Sequence, residues 1–200
     1  AQLAGTGGDQ VYDGTFVTVN GGAFDLNGTN ETIKYLSGSG GVVTNTGVPQ
    51  SVLTINLGAS GSQSYSGSIN GDERIVVLNS TTKNTDTQAF TATNSYTGRT
   101  VIDNGHLRVT SDLALGAVPG SFDATNITLL NGGVLQNNDS SPVLHANRGI
   151  FLQSGNGVFY AGWSGNNRAV TINGIINGPG SLYKTDGAPL ILTATNCYTG

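Results

Sequence analysis

The sequence predicts an all-β chain: a right-handed parallel β-helix (β-solenoid) of about seven to nine coils, spanning residues 1–200 as a single segment. Three observations predict it. The composition favours short strands and tight polar turns, the chain repeats itself in order, and short apolar runs recur about every ten residues.

Gly, Thr, Asn and Ser number 31, 24, 21 and 17 of 200 residues, nearly half the chain. Charged residues make up 10%, against about 25% in an ordinary globular domain. A disordered segment would carry high net charge and few β-branched residues. Here the net charge is −4, and Val, Ile and Thr are abundant. The acidic balance, with pI near 4.8, argues against nucleic acid as a partner, because phosphates call for clustered Lys and Arg. No apolar stretch approaches the roughly 20 residues of a membrane-spanning helix, so no membrane insertion is expected in this segment. No charged-then-apolar signal begins at Ala1 and the chain has no Met, so we expect Ala1 to be a processed end or an artificial boundary. Cys197 is the one cysteine and has no partner for an internal disulfide. It takes the place of Ser95 in the other copy of the repeat, which reads as a small turn or core position.

The long repeat is plain. Ala92-Thr93-Asn94-Ser95-Tyr96-Thr97-Gly98 recurs as Ala194-Thr195-Asn196-Cys197-Tyr198-Thr199-Gly200. Upstream, Ser68-Ile69-Asn70-Gly71 is echoed by Ile175-Ile176-Asn177-Gly178, and Val19-Asn20-Gly21-Gly22-Ala23-Phe24 by Leu130-Asn131-Gly132-Gly133-Val134-Leu135. The echoes keep their order. They divide the chain into internal units at about 16–98 and 127–200, joined by 99–126. A sandwich has no reason to repeat its sequence, whereas a solenoid stacks each coil on a copy of itself.

Within each unit, short apolar runs such as Phe16-Val17-Thr18-Val19, Val52-Leu53-Thr54-Ile55, Ile75-Val76-Val77-Leu78 and Val170-Thr171-Ile172 recur, and many of them alternate apolar and polar positions. Alternation puts Leu53, Ile55 and Leu57 on one face and Thr54 and Asn56 on the other. Gly and Asn between the runs supply corner conformations at little steric cost. At roughly 22–28 residues per coil and about 4.8 Å between strands, the rod would be roughly 35–45 Å long. Helix is confined to Ser111-Asp112-Leu113-Ala114-Leu115-Gly116, where Ser111 or Asp112 is placed to cap one or two turns and Gly116 to end them.

The stretch Gly180-Ser181-Leu182-Tyr183-Lys184-Thr185-Asp186-Gly187-Ala188-Pro189-Leu190-Ile191-Leu192, running on to Asn196-Cys197-Tyr198-Thr199-Gly200, resembles the autotransporter-associated β-strand repeat. That repeat reads as a Gly-Xaa-Leu-Xaa-Lys strand, a glycine turn, a Leu-Xaa-Leu strand and an Asn-Xaa-Tyr-Thr-Gly corner. The first copy continues as the family does, through Thr100-Val101-Ile102 and Gly105-His106-Leu107 to Leu115-Gly116. It departs from the pattern at Asp72-Glu73-Arg74-Ile75 and at the insertion-like polar stretch from Ser80 to Gln88. The resemblance implies a passenger region of a type V secreted bacterial surface protein. By the same repeat, Asn94, Tyr96, Thr97, Gly98, Asn196, Tyr198, Thr199 and Gly200 are structural corner positions. The second copy stops where the first carries on, so the chain is expected to be a fragment or one unit of a longer solenoid.

Chemistry-bearing motifs are scarce. His106 and His145 lie far apart with no Cys, Asp or Glu at metal-ligand spacing, and read as surface or loop histidines. There is no nucleophile elbow, P-loop or dinucleotide fingerprint. No catalytic residue, metal site or cofactor is expected. A glycan-cleaving β-helix needs paired carboxylates. Asp72, Glu73 and Arg74 form the one dense charged cluster, and a solvated turn is the simpler reading. Asp103, Asp112 and Asp123 read as turn caps, and Lys184 and Asp186 as repeat positions. Trp163, Tyr160 and Tyr183, with Phe159, are the candidate ligand-binding aromatics. The sequons at Asn27, Asn126 and Asn138 are expected by chance at this composition.

The expected function is structural or adhesive: a β-helical segment of a protein secreted from, or displayed on the outer surface of, a bacterial cell. Its expected partners are neighbouring coils or copies of itself, stacked end to end into a fibre, together with host or matrix glycans or surface proteins. The alternatives are a polysaccharide-active enzyme using Asp72 and Glu73, and a glycan-binding module centred on Trp163.

Overall fold

The structure, a computed structural model, describes residues 1–4, 8–58, 61–79, 86–162 and 167–200. Its strands are short, most of three to five residues, with the longest at Ser51–Leu57, Glu73–Asn79 and Asp123–Leu130. Every pairing between named strands is parallel. Sequence-distant strands are neighbours, so the chain winds as a β-solenoid. One face is an eight-stranded sheet running from Glu31–Ile33 to Cys197–Tyr198, a second is six-stranded, and two three-stranded sheets and one two-stranded sheet complete the walls. Side chains bridge successive coils 22 residues apart at Gln50 and Asp72 and 25 apart at Asn70 and Ser95.

The solenoid makes about six turns, slightly fewer than the seven to nine expected. The eight-stranded sheet supplies eight levels, but the opposite long face supplies only six strands. Tyr35–Ser37, bridged to Ser62–Tyr65 through Gly38, and Phe16–Thr18 beyond it carry that face on as a separate two-stranded sheet. With about 4.8 Å between strands, the eight levels span roughly 34 Å.

Alternation fixes what faces inward. Leu53, Ile75, Thr100, Ile127, Ile150 and Ile176 stack in register as one inner column of the eight-stranded sheet. Ile55, Val77, Ile102, Leu129 and Leu152 form the next column, all fully buried. Each such side chain contributes roughly 1.5–3 kcal/mol by leaving water. Thr100 is the one polar member, and its hydroxyl lies 2.7 Å from the Tyr96 hydroxyl, so the polarity is satisfied locally. On the six-stranded sheet the inner position held by Leu107 and Leu135 is taken one coil earlier by Gln88. Its buried amide accepts from the Leu36 N–H and donates to the Leu36 carbonyl, at 3.1 and 2.8 Å.

Corners fall where the sequence places Asn and Gly. Asn104 and Asn131 adopt φ 49° and 52°, the left-handed region these residues tolerate best after glycine. Gly178, at φ 108°, leaves no room for a Cβ, which would lie 2.3 Å from the Leu152 carbonyl oxygen one coil below.

The expected helix is a single 3-10 turn, Asp112–Leu115, ended by Gly116 at φ 83°. Its capping differs from expectation: Ser111 makes no side-chain cap bond. The Asp112 carboxylate instead accepts from Arg148 Nε at 2.8 Å and from the His145 N–H at 3.0 Å. Arg148 is fully buried and donates further to the carbonyls of Asp112, Leu115, Gly116 and Ala117 and to Asn126 Oδ1. A cation at the end of a helical turn satisfies the last carbonyls, and this one ties the loop to the coil above. The linking stretch 99–126 is itself coiled, with the strands Thr100–Asp103 and His106–Val109 in the two long sheets. Among the described residues no helix is long and apolar enough to cross a membrane.

Candidate functional site on the outer face of the long sheet

The residues that alternate outward on the eight-stranded sheet also stack. Thr32, Thr54, Val76, Val101, Thr128, Phe151, Asn177 and Cys197 form one continuous column across all eight strands. Leu78, Asp103 and Leu130 form a parallel column beside it. Over the middle strands this face is hollowed into an open cleft of about 400 Å³, within the roughly 300–1,000 Å³ common for ligand sites. Val76, Val101, Leu130 and Phe151 line its floor, with Val101 only 8% exposed although it points outward.

A bulge builds one wall. The register between Asp123–Leu130 and Arg148–Leu152 slips between Asp123 and Ile127, which puts extra chain on Asp123–Leu130. Asp123 Oδ1 holds the bulge by accepting from the N–H and the hydroxyl of Thr125, both at 3.0 Å. Asn177 Nδ2 donates to the Ala124 carbonyl at 2.9 Å from two coils above. Arg74 and Arg99 stand at the cleft edge. They are neighbours on adjacent coils, since Thr100 pairs with Ile75 and the Ile75 N–H donates to the Arg99 carbonyl at 3.0 Å. Arg99 approaches Asp123 at 3.7 Å with its side chain 56% exposed. The far side carries Asp103, whose carboxylate accepts from Asn131 Nδ2 at 2.7 Å, and Gln153.

The aromatic residues expected to bind ligand lie elsewhere. Trp163 lies outside the described residues. Tyr160 and Tyr183 sit on the outward face of the six-stranded sheet, where Tyr160 pairs with Thr185 and Tyr183 with Val158. Tyr160 meets the His106 ring edge-on at 5.3 Å, and Tyr183 is 58% exposed. Phe159 is buried in the core. The Asp72-Glu73-Arg74 cluster is not a solvated turn. Glu73 begins a strand, points inward with Ile75 and is fully buried, while Arg74 points outward. Alternation divides the cluster, so it presents no joint carboxylate pair. Neither Glu73 carboxylate oxygen has a hydrogen-bond partner on another described residue, and Ser51 Oγ, in register with it, has none either. Burial, with the fields of Asp72 and Asp25, pushes the Glu73 carboxyl up to about 8.

His106 is likewise not a loop residue. It is buried in the strand His106–Val109, 2.6 Å from Gln136 Oε1, and burial lowers its pKa to about 4, so it is neutral at pH 7. His145 keeps its place in a turn, with Nδ1 accepting from the Asn147 N–H at 3.0 Å. Asp123 stabilises a turn, whereas Asp112 answers Arg148. Lys184 donates to the Asp186 carbonyl across a turn in which Asp186 has φ 69°. Cys197 is exposed on the last strand of the long sheet. Among the described residues no group of three His, Cys, Asp or Glu side chains could hold a metal ion.

At the repeated corner, Asn94 is buried and bonds both neighbouring coils: Oδ1 accepts from the Ile69 N–H at 2.9 Å and Nδ2 donates to the Ala114 carbonyl at 2.7 Å. Asn196 Oδ1 accepts from the Ile176 N–H at 2.8 Å. Tyr96 is fully buried and Tyr198 half-buried. Thr97 donates its hydroxyl to Asp72 at 3.0 Å, and its N–H bonds the Gly71 carbonyl, as that of Thr199 bonds Gly178. Gly98 and Gly200 both pass close to the backbone of the coil below, at Glu73 and Gly180.

Two relatives share this architecture's sequence. Serine protease EspP of Escherichia coli is 33% identical over 117 residues, covering 58% of this chain and 8% of that protein. The adhesin BmaC autotransporter of Brucella suis biovar 1 is 32% identical over 150 residues, covering 65% of this chain and 4% of that protein. The chain is thus similar to part of an adhesin autotransporter, and its β-solenoid fold agrees with a passenger region of such a protein. The relatives place the chain outside the cell or on the bacterial outer surface. It spans less than a tenth of the length of either relative. No family model and no solved structure matches the chain.

Proposed function

We propose that the chain is a structural and adhesive passenger segment that carries no catalytic centre, a β-helical rod that projects from the cell and presents a lateral face to what it meets. The observation that carries this reading is the uninterrupted eight-strand stack, whose inner columns are mainly apolar and whose outer column faces away from the core. Stacked coils give length from local interactions alone. The likeness to an adhesin supports contact as the role. The likeness to a serine protease covers 8% of that enzyme, and the divided Asp72-Glu73 pair offers no acid–base couple for glycan cleavage. Two internal units, 16–98 and 127–200, repeat the same corner within the rod.

Self-stacking belongs to the same reading. Parallel coils pair with one another throughout the described residues, and a strand edge is a template for pairing with a further strand. Labelling of intact cells, combined with small-angle scattering of the purified chain, tests the proposal. Surface-accessible chain with an elongated particle supports it, and concentration-dependent growth along one axis supports stacking. A compact isotropic particle, or chain protected from external label, overturns it.

A further inference from the structure

We propose that the cleft on the outer face of the eight-stranded sheet binds a carboxylate-bearing oligosaccharide, with Arg74 and Arg99 receiving the carboxylate and Phe151 receiving a sugar face. This rests on the reading of the chain as a surface-displayed adhesive segment and names the ligand class of its lateral face.

The arginine pair carries the inference. Arg74 and Arg99 stand on adjacent coils in the same outer column, about 4.8 Å apart at the backbone. Like charges opposite one another on a sheet repel. The chain has only eight Lys and Arg in 200 residues and is acidic overall, so the pairing is not a by-product of a basic surface. Arg74 is exposed and makes no hydrogen bond or ion pair with any described residue, while the one ion pair of Arg99 is the 3.7 Å approach to Asp123. A carboxylate between the two guanidinium groups would relieve the repulsion and offer each a planar, hydrogen-bonding partner.

The rest of the cleft selects a sugar over a peptide. Extended peptides are captured at sheet edges, where unpaired backbone groups extend the ladder. This site is a sheet face whose backbone groups are already paired between coils. Recognition must therefore come from side chains. The Thr125 and Thr128 hydroxyls, which donate to Asp123 and to the Thr125 carbonyl, keep lone pairs that can accept from sugar hydroxyls, and the Gln153 amide can both donate and accept. Phe151, half-buried on the floor, offers an apolar surface to the C–H face of a pyranose ring.

A glycan array carrying uronate- and sialic-acid-containing oligosaccharides beside their carboxyl-reduced counterparts tests the proposal. The probes are applied to the purified chain, to the Arg74→Gln/Arg99→Gln double variant, to Phe151→Ala and to Arg168→Gln as a control on another face. All substituted side chains are at least partly exposed, and circular dichroism checks that each variant folds. The expected result is binding of carboxylated probes only, weakened at least tenfold in the double variant and in Phe151→Ala but unchanged in Arg168→Gln. Equal binding of reduced probes, unchanged binding by the double variant, or no binding of any carboxylated probe overturns the site. So does poly-glutamate competing equally well with and without Phe151, which would mark an unspecific anion patch. External labelling of intact cells separates the two levels. If the chain is displayed and the array is negative, the site is wrong and the surface reading stands. If the chain is not displayed, the surface reading fails whatever the array shows.

Discussion

Asn196 makes in the second copy of the repeat the bond that Asn94 makes in the first: each Oδ1 accepts the backbone N–H of an isoleucine on the preceding coil, Ile176 at 2.8 Å and Ile69 at 2.9 Å. The repeated Asn is thus a staple between coils. It pairs a backbone donor that the strand ladder does not reach, and a buried N–H left unpaired is costly.

Replacing Asn94 with Ala orphans both the Ile69 N–H and the Ala114 carbonyl in a buried setting. We expect a loss of about 2–3 kcal/mol, read as a lower urea midpoint. Asn196→Ala, at a half-buried position with one such bond, should cost about 1 kcal/mol. Equal effects at the two sites would contradict the staple as the source.

Arg148 anchors the loop around Asp112–Leu115 through an ion pair and five further hydrogen bonds, to four backbone carbonyls and Asn126. Arg148→Met removes the cation and leaves those acceptors buried, so a loss of about 3–5 kcal/mol is expected. Amide exchange should rise first across residues 111–117, because that loop depends on the side chain. Uniform acceleration along the whole chain would argue against a local anchor.

Glu73 predicts an unusual pH dependence. Its folded pKa, near 8, lies above the ordinary carboxyl value of 4.5. The folded state therefore holds its proton where the unfolded state has lost it. The stability this contributes is complete below about pH 4.5 and is lost as pH rises towards 8. The slope approaches 1.4 kcal/mol per pH unit at most, by the ~1.36 kcal/mol that one unit represents. Glu73→Gln, which cannot ionise, should flatten this part of the profile and raise stability at pH 8. Parallel urea-midpoint profiles for the two proteins would show that Glu73 does not titrate in this way.

Gly178→Ala should destabilise by more than the few tenths of a kcal/mol typical of a surface change, because φ is 108° and the new methyl would meet the Leu152 carbonyl. Gly187→Ala, with nothing within 4 Å of the added Cβ, is the control and should be close to neutral in a thermal melt.

The fold was legible because a solenoid writes its period into the sequence. Alternation named Leu53, Ile55 and Leu57 as inner residues, and the duplicated Asn-Xaa-Tyr-Thr-Gly corner pointed to stacking. The number of turns was less legible, since counting coils by length assumes a constant coil length, whereas the coil step is 22 residues at Gln50 and Asp72 and 25 at Asn70 and Ser95. Buried charge was not legible. Glu73 and Arg148 stand beside polar residues in sequence, and only the coil geometry turns them inward. The cleft escaped for a related reason. Its residues are spread over four strands from Arg74 to Gln153, and cross-coil register, which no local motif encodes, brings Arg74 beside Arg99. The Tyr160 and Tyr183 reading followed local aromatic density, which placed them on the other long face.

The most direct test of the solenoid is a distance along its outer column. Thr54 and Asn177 are separated by five strand steps through Val76, Val101, Thr128 and Phe151. Cysteines at these two positions, in a Cys197→Ser background, can carry spin labels for a pulsed dipolar measurement. Five parallel steps give a backbone separation of roughly 24 Å, and a single narrow distribution centred there, within the reach of the label arms, is the expected result. A broad distribution, or one centred well beyond 35 Å, would contradict the stacked-coil architecture on which the proposed surface role rests.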